Sequence, residues 1–291
     1  MKTHSYCLLC QSSNIQKMRR YYTTHRLIKC QECGFIFMER VPSENELKEY
    51  YSTYSYAEDR PISPITLKRY QELLKEFEIY RQSNRILEVG CGKGDFLIEA
   101  KKNGWEVEGT ELSEKGVEWC IRKGIKAQYT DLNERLFPRD YFDIIIAIEV
   151  IEHINKPREF ARQIASFLRL GGLFYCTTPN FNSLARYFLQ ENYSVIHYPE
   201  HLCYYTPKTL KKLMSEHSLF PKKIKTTGID FDRLFPRKEA TPLKFDNETI
   251  RHHTESSWIL KMTKRTANFM LNITRLGATI RGYFIKSYSS E

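Results

Sequence analysis

The sequence predicts an α/β protein with a doubly wound, mostly parallel sheet. Between residues 83 and 228, short apolar segments alternate with amphipathic segments, which is typical of such a sheet. A glycine-rich loop follows the first apolar segment, in Arg85–Ile98, which reads RILEVGCGKGDFLI. A chain of 291 residues is long enough for one domain of this kind with smaller attachments.

The composition favours a soluble globular protein. The chain is 41% hydrophobic and 27% charged, which argues against a disordered protein. Its longest apolar run, 144–151, contains Glu149 and is far too short to cross a bilayer. No signal peptide is recognised, so we expect a cytoplasmic protein whose eight cysteines are thiols or metal ligands. The formal net charge of +10 indicates an acidic partner or a basic surface without a specific partner.

The chain divides into four predicted segments. They are a cysteine-containing N-terminal module (1–40), a tyrosine-rich linker with a helix (41–82), the α/β domain (83–228) and a basic helical extension (229–291). Within the α/β domain we expect strands at Arg85–Val89, Glu106–Thr110, Lys126–Tyr129, Phe142–Ile148 and Leu173–Thr177.

The N-terminal module carries the pattern of a structural zinc site. Each of its two CxxC turns can point two thiolates at one ion, and four cysteines leave no position open for water. A thioredoxin-like redox pair is the alternative, but no βαβ pattern surrounds either turn. We therefore predict a zinc ribbon with the ligands Cys7, Cys10, Cys30 and Cys33.

The glycine-rich loop predicts a cofactor, and three kinds compete for it. A phosphate-binding loop needs Ser or Thr after Gly-Lys, but Gly94 follows Lys93. A dinucleotide fingerprint places its third glycine one position later, where Asp95 stands. S-adenosylmethionine fits better, because closely spaced glycines let the backbone approach the ligand and the next helix N-terminus favours its carboxylate.

Three carboxylates at successive strand ends match the groups of that cofactor. Glu88 ends the first strand, where it can face an ammonium group, and Glu111 ends the second, where it can accept ribose hydroxyls. Asp131 follows the third strand, within reach of an adenine amino group. Each acid alone could be a solvated loop residue, but all three fall at the sheet edge where such folds bind ligands.

Leu87–Gly94 resembles the first motif of class I S-adenosylmethionine-dependent methyltransferases. Phe142–Ile154, and Leu170-Gly171-Gly172 before the fifth strand, are similar to motifs of their quinone- and sugar-modifying branch. The resemblance implies methyl transfer on a seven-stranded, Rossmann-like sheet. Together with the loop and strand ends it predicts these cofactor-binding residues: Glu88, Gly90, Cys91, Gly92, Gly94, Glu111, Leu112, Asp131, Leu132 and Glu149.

The cysteine pairs followed by Tyr50-Tyr51 resemble the front end of bacterial sugar C-methyltransferases. In those enzymes a Glu-His pair after strand five supplies the base, and Glu200 and His201 match it. The resemblance thus implies that both residues are catalytic, whereas a histidine that only packs against the pocket is the alternative.

Two acids and a histidine after the fourth strand have other expected roles. We expect His153 to start the helix that follows this strand. The resemblance to quinone-modifying enzymes also implies that Glu149 and Glu152 are candidates for holding a divalent cation.

The same resemblance indicates the acceptor class. It implies O- or C-methylation of a small molecule or glycan, and a membrane-binding C-terminal extension, described below, would indicate a lipid-linked glycan. The alternatives are an rRNA base methyltransferase with a zinc ribbon and a catalytically inactive binding module. The former also joins a small zinc module to this fold and is basic, but the ribbon has no clear aromatic-basic RNA face, although Lys17, Arg19, Arg20, Tyr21 and Tyr22 come close to one. The three carboxylates argue against the latter.

The C-terminal extension has the composition of a membrane-binding helix. Apolar residues from Trp258 to Phe284 recur mostly three or four positions apart, so a helix would place them on one face. Several Lys and Arg residues lie among them, and no acid appears before Glu291. We therefore expect residues 258–286 to contact an anionic membrane, with docking on the protein's own core or on a partner subunit as the alternative.

Overall fold

The computed structural model describes residues 2–52, 62–228 and 258–288. Within these ranges the strands are β1 (Ile15–Lys17), β2 (Leu27–Cys30), β3 (Ile36–Met38), β4 (Arg85–Val89), β5 (Glu106–Glu111), β6 (Lys126–Tyr129), β7 (Phe142–Ile148), β8 (Leu168–Pro179), β9 (Cys203–Tyr204), β10 (Leu219–Thr227) and β11 (Thr279–Lys286). The helices are α1 (Arg19–His25), α2 (Glu44–Ser52), α3 (Pro64–Phe77), α4 (Asp95–Lys102), α5 (Glu114–Arg122), α6 (Pro157–Phe167), α7 (Leu184–Leu189), α8 (Pro207–Ser215) and α9 (Trp258–Thr274).

A seven-stranded sheet with the order β10-β11-β8-β7-β4-β5-β6 forms the centre of the molecule. The pairs from β8 to β6 are all parallel, and β11 runs antiparallel to both of its neighbours. The predicted mostly parallel α/β sheet is therefore confirmed. The expected strands are present, although β8 begins earlier and ends later than the sequence suggested.

The strands form where β-branched and apolar residues run continuously, because both faces of the sheet are covered. Ile144, Ile145 and Ile146 of β7 are fully buried. Neighbouring residues of β8 point to opposite faces, so that Phe174 lies beside Phe284 and Tyr175 lies beside Phe77. The core therefore has two layers, one on each side of the sheet.

The end of the chain differs from the helix that the sequence suggested. Helix α9 ends at Thr274, and β11 enters the sheet between β8 and β10. Ile280 and Phe284 are fully buried in the core. They lie four positions apart, and this spacing places residues on one face of a strand as well as on one face of a helix. The predicted helix over 258–286 was therefore wrong for its last part.

The N-terminal module is joined to the α/β domain through a second sheet. Its order is β1-β2-β3-β9, and all three pairs are antiparallel. Strand β9 belongs to the α/β domain, so the module completes its sheet with a strand from the other part of the chain. Phe35 and Phe37 of the module pack in the same core layer as Phe160 and Tyr205.

Candidate active site

A cleft of about 440 Å³ opens at the carboxyl ends of β4, β5, β6 and β7. Three of the predicted cofactor-binding residues, Glu88, Cys91 and Gly94, are buried and do not form its wall. The others line the cleft: Gly90, Gly92, Glu111, Leu112, Asp131, Leu132 and Glu149.

The glycine-rich loop is tied to the end of β5. The backbone N–H groups of Gly90 and Cys91 both donate to the Thr110 carbonyl, at 2.8 and 3.0 Å. Gly90 has a φ of +67°, and a Cβ at this position would lie 2.6 Å from Cγ2 of Val150. The loop therefore requires glycine here for both conformation and space.

Glu111 holds the loop at the cleft wall. Its carboxylate accepts hydrogen bonds from the backbone N–H groups of Gly92, Leu112 and Ser113, at 2.8, 2.8 and 2.9 Å. A carboxylate has about four lone-pair sites, so a ligand hydroxyl can still donate to it. Asp131 lies on the same wall, exposed after β6.

Glu88 is a buried carboxyl beside the loop. Its side chain is almost fully buried, and among the described residues Oε2 has no hydrogen-bond partner. Burial raises the pKa of Glu88 well above its ordinary value, and the nearby Cys120, Asp95 and Glu111 raise it further. A buried carboxyl oxygen without a donor fits a cationic group such as the ammonium of S-adenosylmethionine.

A histidine–carboxyl cluster lies at the other end of the cleft. It consists of Glu152, His153 and His201. One carboxylate oxygen of Glu152 and one ring nitrogen of each histidine lie within 4.8 Å of one another. The rings of His153 and His201 meet edge to face with centroids 4.9 Å apart. His153 lines the cleft, whereas His201 lies behind it and bonds through Nδ1 to the Val195 carbonyl at 2.7 Å.

Burial sets the protonation of this cluster. It raises the pKa of Glu152 well above the ordinary value, and Glu149 adds to this effect. Burial, together with the neighbouring His201, lowers the pKa of His153 to about 4. Near neutral pH, His153 is therefore uncharged, so that one ring nitrogen can accept a hydrogen bond while the other donates one.

The two residues matched to a catalytic pair lie on one loop before β9. Glu200 is mostly buried, and one of its oxygens lies 3.5 Å from Nδ1 of His197. The structure thus brings His201 to the cluster, while His153, rather than His201, forms part of the cleft wall.

The position of His153 differs from the expected helix start. It ends a 3-10 turn, Ile151–His153, and α6 begins only at Pro157. Proline is favoured in the first turn of a helix, so Pro157 was the signal that His153 precedes the helix and can face the cleft.

The four N-terminal cysteines converge on one point. The Sγ atoms of Cys7 and Cys33 are 3.5 Å apart, as are those of Cys10 and Cys30, and all four lie within 4.8 Å of one another. Tetrahedral zinc with Zn–S bonds of about 2.3 Å separates its sulfurs by roughly 3.8 Å. Burial raises the pKa of Cys7 and brings that of Cys33 to about 11, and a divalent cation would favour the thiolates instead. The cluster therefore fits a zinc ion.

In the part of the chain that the structure describes, no helix is both long and apolar enough to cross a membrane.

The fold and the glycine-rich loop are those of class I S-adenosylmethionine-dependent methyltransferases. A family model described as a methyltransferase domain matches residues 56–219, more than half of the chain. The chain belongs to this methyltransferase-domain family, which confirms the resemblance seen in the sequence.

Curated relatives match the chain over shorter regions. A ubiquinone biosynthesis O-methyltransferase of Bordetella avium is 28% identical over 128 residues, which are 42% of this chain and 52% of the relative. A 27-O-demethylrifamycin SV methyltransferase of Amycolatopsis mediterranei is 35% identical over 101 residues, 32% of this chain and 37% of the relative. The chain thus spans about half or less of the length of these relatives.

Solved structures share the fold at low sequence identity. A methyltransferase from Archaeoglobus fulgidus has a TM-score of 0.52 at 19% identity, over 76% of this chain and 93% of its own. A geranyl diphosphate C-methyltransferase from Streptomyces coelicolor also reaches 0.52, at 12% identity, over 84% and 98%. At this identity they support the fold alone.

Proposed function

We propose that this protein transfers a methyl group from S-adenosylmethionine to a small-molecule acceptor. The observation that carries the proposal is that one cleft is lined both by the glycine-rich loop with Glu111 and by His153, the member of the histidine–carboxyl cluster that reaches the cleft wall. We call the wall formed by Gly90, Gly92, Glu111 and Asp131 the cofactor half. The wall formed around His153, Asn155 and Leu202 is the acceptor half.

In the cofactor half, each group of S-adenosylmethionine has a candidate partner. Glu111 is proposed to accept from the ribose hydroxyls, Asp131 to face the adenine amino group, and Glu88 to pair with the ammonium. Cys91, Leu112 and Leu132 are proposed as neighbouring contacts. The cofactor supplies a methyl group on a sulfonium, which makes it a strong electrophile.

In the acceptor half, the protein must orient a nucleophile and take its proton. We propose that His201 is the general base, with Glu200 and Glu152 as the acidic groups near it. Because His153 forms part of the cleft wall and its ring contacts that of His201, it is proposed to pass the acceptor's proton to His201. Glu149 is proposed to lie where the two halves of the cleft meet.

A hydroxyl-bearing acceptor fits the polar side chains of this wall. Asn155, Lys156 and Gln163 line the cleft together with His153, and all of them can hydrogen-bond to hydroxyl groups. Of the two curated relatives reported above, one is named as an O-methyltransferase. The name of the other refers to a substrate that lacks a methyl group at its 27-O position. We therefore propose O-methylation of a small molecule, with a sugar, free or lipid-linked, as the specific acceptor.

Cofactor binding is tested by calorimetry with Glu111→Ala. Charge-assisted hydrogen bonds contribute about 1.5–3 kcal/mol each, so affinity for S-adenosylmethionine should fall about 10- to 100-fold. Glu118→Ala, which removes an exposed acid from the nearby α5, should bind like the parent. Equal affinity of parent and Glu111→Ala would show that Glu111 is not a cofactor ligand.

The acceptor is tested with methyl-labelled S-adenosylmethionine and cell extracts separated into glycan, lipid and RNA fractions. Label in the glycan or lipid fraction supports the proposal, and Glu111→Ala, assayed at a cofactor concentration that does not saturate it, is the control with reduced labelling. Label in RNA alone would favour a base methyltransferase. Cofactor binding without label in any fraction would favour an inactive binding module.

We also propose that α9 contacts an anionic membrane surface. Phe269, Met270 and Ile273 are each more than half exposed on this helix, and the described part of α9 contains no acid. Removing α9 by ending the chain at Ser256 cannot test the membrane contact, because the shortened chain would also lack the buried strand β11. Substitutions on the helix surface are required instead.

The membrane proposal predicts that Phe269→Glu combined with Ile273→Glu lowers binding to anionic vesicles about tenfold, through lost apolar burial and added negative charge. Ile79→Glu, at an exposed apolar position outside α9, is the matched control. Co-sedimentation with anionic and neutral phospholipid vesicles measures the bound fraction. Equal binding of parent and double variant would remove the proposal.

A further inference from the structure

We propose that the N-terminal module positions the acceptor half of the cleft, so that metal occupancy of the four cysteines controls this half and leaves the cofactor half unchanged. The inference rests on the proposed function of the cleft. Three separate contacts carry it, and each joins the module to a segment that forms or adjoins the acceptor wall.

The first contact is strand pairing between β3 and β9. Phe37 faces Cys203, and Ile36 faces Tyr204. Just before β9, the N–H of Met38 donates to the carbonyl of Leu202 at 2.9 Å. Leu202 lines the cleft and directly follows His201. The backbone of the proposed base is therefore fixed against a strand of the module.

The second contact is a side-chain hydrogen bond. Nε2 of His4 lies 2.9 Å from Oδ1 of Asn155, and since that oxygen only accepts, His4 is the donor. Asn155 lines the cleft two residues after His153. Burial lowers the pKa of His4, and its ring packs edge-on against Phe37. His4 is thus a positioning residue for the wall beside His153.

The third contact reaches the cysteine turn itself. The guanidinium of Arg158 donates to the carbonyl of Leu9 at 2.8 Å. Leu9 is fully buried between Cys7 and Cys10, and its own N–H lies 3.4 Å from Sγ of Cys7. Arg158 belongs to the first turn of α6, next to the segment that carries Asn155. The shape of the CxxC turn is therefore linked directly to the start of α6.

All three contacts end on residues between 154 and 204, and none of them involves β4, β5 or β6. A module of about 40 residues has too little core to hold its shape alone, so a bound metal contributes much of its folding free energy. Loss of the metal should therefore loosen one half of the cleft selectively.

The test is hydrogen–deuterium exchange of the full chain with zinc bound, after removal of zinc by a chelator, and with Cys30→Ser. Metal analysis establishes that the first sample holds about one zinc ion per chain. We expect exchange in peptides covering 150–160 and 195–205 to rise about tenfold without zinc. Peptides covering 85–131 should exchange as before, and calorimetry should give an affinity for S-adenosylmethionine within about twofold of the parent.

A milder variant keeps the test informative if zinc removal unfolds the chain. His4→Ala should speed exchange in 150–160 with zinc still bound, and His4→Gln, which keeps a donor for Asn155, should restore the parental rate. Unchanged exchange in both acceptor segments without zinc would overturn the inference. Equally faster exchange in 85–131 would do the same, because the effect would then be global.

Failure of the proposed function gives a different result. If the zinc-bound parent does not bind S-adenosylmethionine, the proposed function is wrong, whereas the exchange pattern still reports whether the module holds residues 150–160 and 195–205.

Discussion

The two halves of the cleft are assembled in different ways. The cofactor half comes from one continuous stretch, residues 88–131, in which backbone groups of neighbouring loops bond to one another and to Glu111. The acceptor half combines the turn after β7, the loop before β9, α2 through Leu47 and, through His4, the N-terminal module. One half is local, and the other depends on tertiary contacts between distant segments.

This difference also appears in the chemistry of the two walls. The cofactor half presents a loop backbone and the Glu111 carboxylate, which are fixed by hydrogen bonds between neighbouring loops. The acceptor half presents side chains whose position depends on packing between parts of the chain that are far apart. A change there can alter the reaction without altering cofactor affinity.

The largest effect that we expect to distinguish the two halves of the cleft is a loss of turnover without a loss of cofactor affinity. His201→Ala should leave the affinity for S-adenosylmethionine unchanged and slow methyl transfer about 10²–10⁴-fold, the range for loss of a general base. The rate is measured with the acceptor fraction identified by labelling. A parental rate would mean that His201 only packs against His153.

Two further variants distinguish chemistry from packing at this position. His201→Asn keeps a side-chain donor for the Val195 carbonyl but has no titratable ring, so it should be as slow as the alanine variant. His25→Ala removes a histidine that bonds to the Glu191 carbonyl, outside the cleft wall, and should turn over like the parent.

Features of the molecule that depend on neighbouring residues can be predicted from the sequence. The spacing after Gly90 predicts that Glu111 lies at the end of β5. The parallel strands are predictable because each is a short apolar run beside a helix. The cysteine cluster was also predictable, since a CxxC turn fixes two ligands by itself. The positions of these residues follow from neighbours in the chain.

Features that depend on contacts between distant segments cannot be predicted from the sequence in the same way. No pattern within residues 150–160 indicates that Asn155 meets His4, or that β3 pairs with β9. Strand β11 was missed because residues four apart share a face in both regular structures, and only the vacant place between β8 and β10 selects the strand. His153 was misplaced, although Pro157 already marked the true start of α6.

The smallest expected effect compares two buried carboxyls, one for each half. Burial raises the pKa of both Glu88 and Glu152, so the folded protein keeps protons that the unfolded chain releases. Its free energy of unfolding should therefore fall as pH rises above the ordinary carboxyl value, by at most about 1.4 kcal/mol per pH unit for each group.

Glu88→Gln and Glu152→Gln should each remove one contribution, and each variant should gain stability relative to the parent as pH rises from 4 to 7. Chemical denaturation at several pH values measures this difference. Calorimetry then separates the halves, because Glu88→Gln removes the carboxyl that we propose gives up its proton to pair with the ammonium, and should weaken S-adenosylmethionine binding about tenfold, while Glu152→Gln should bind as the parent does. Equal losses of affinity in the two variants would mean that the cofactor depends on both halves of the cleft.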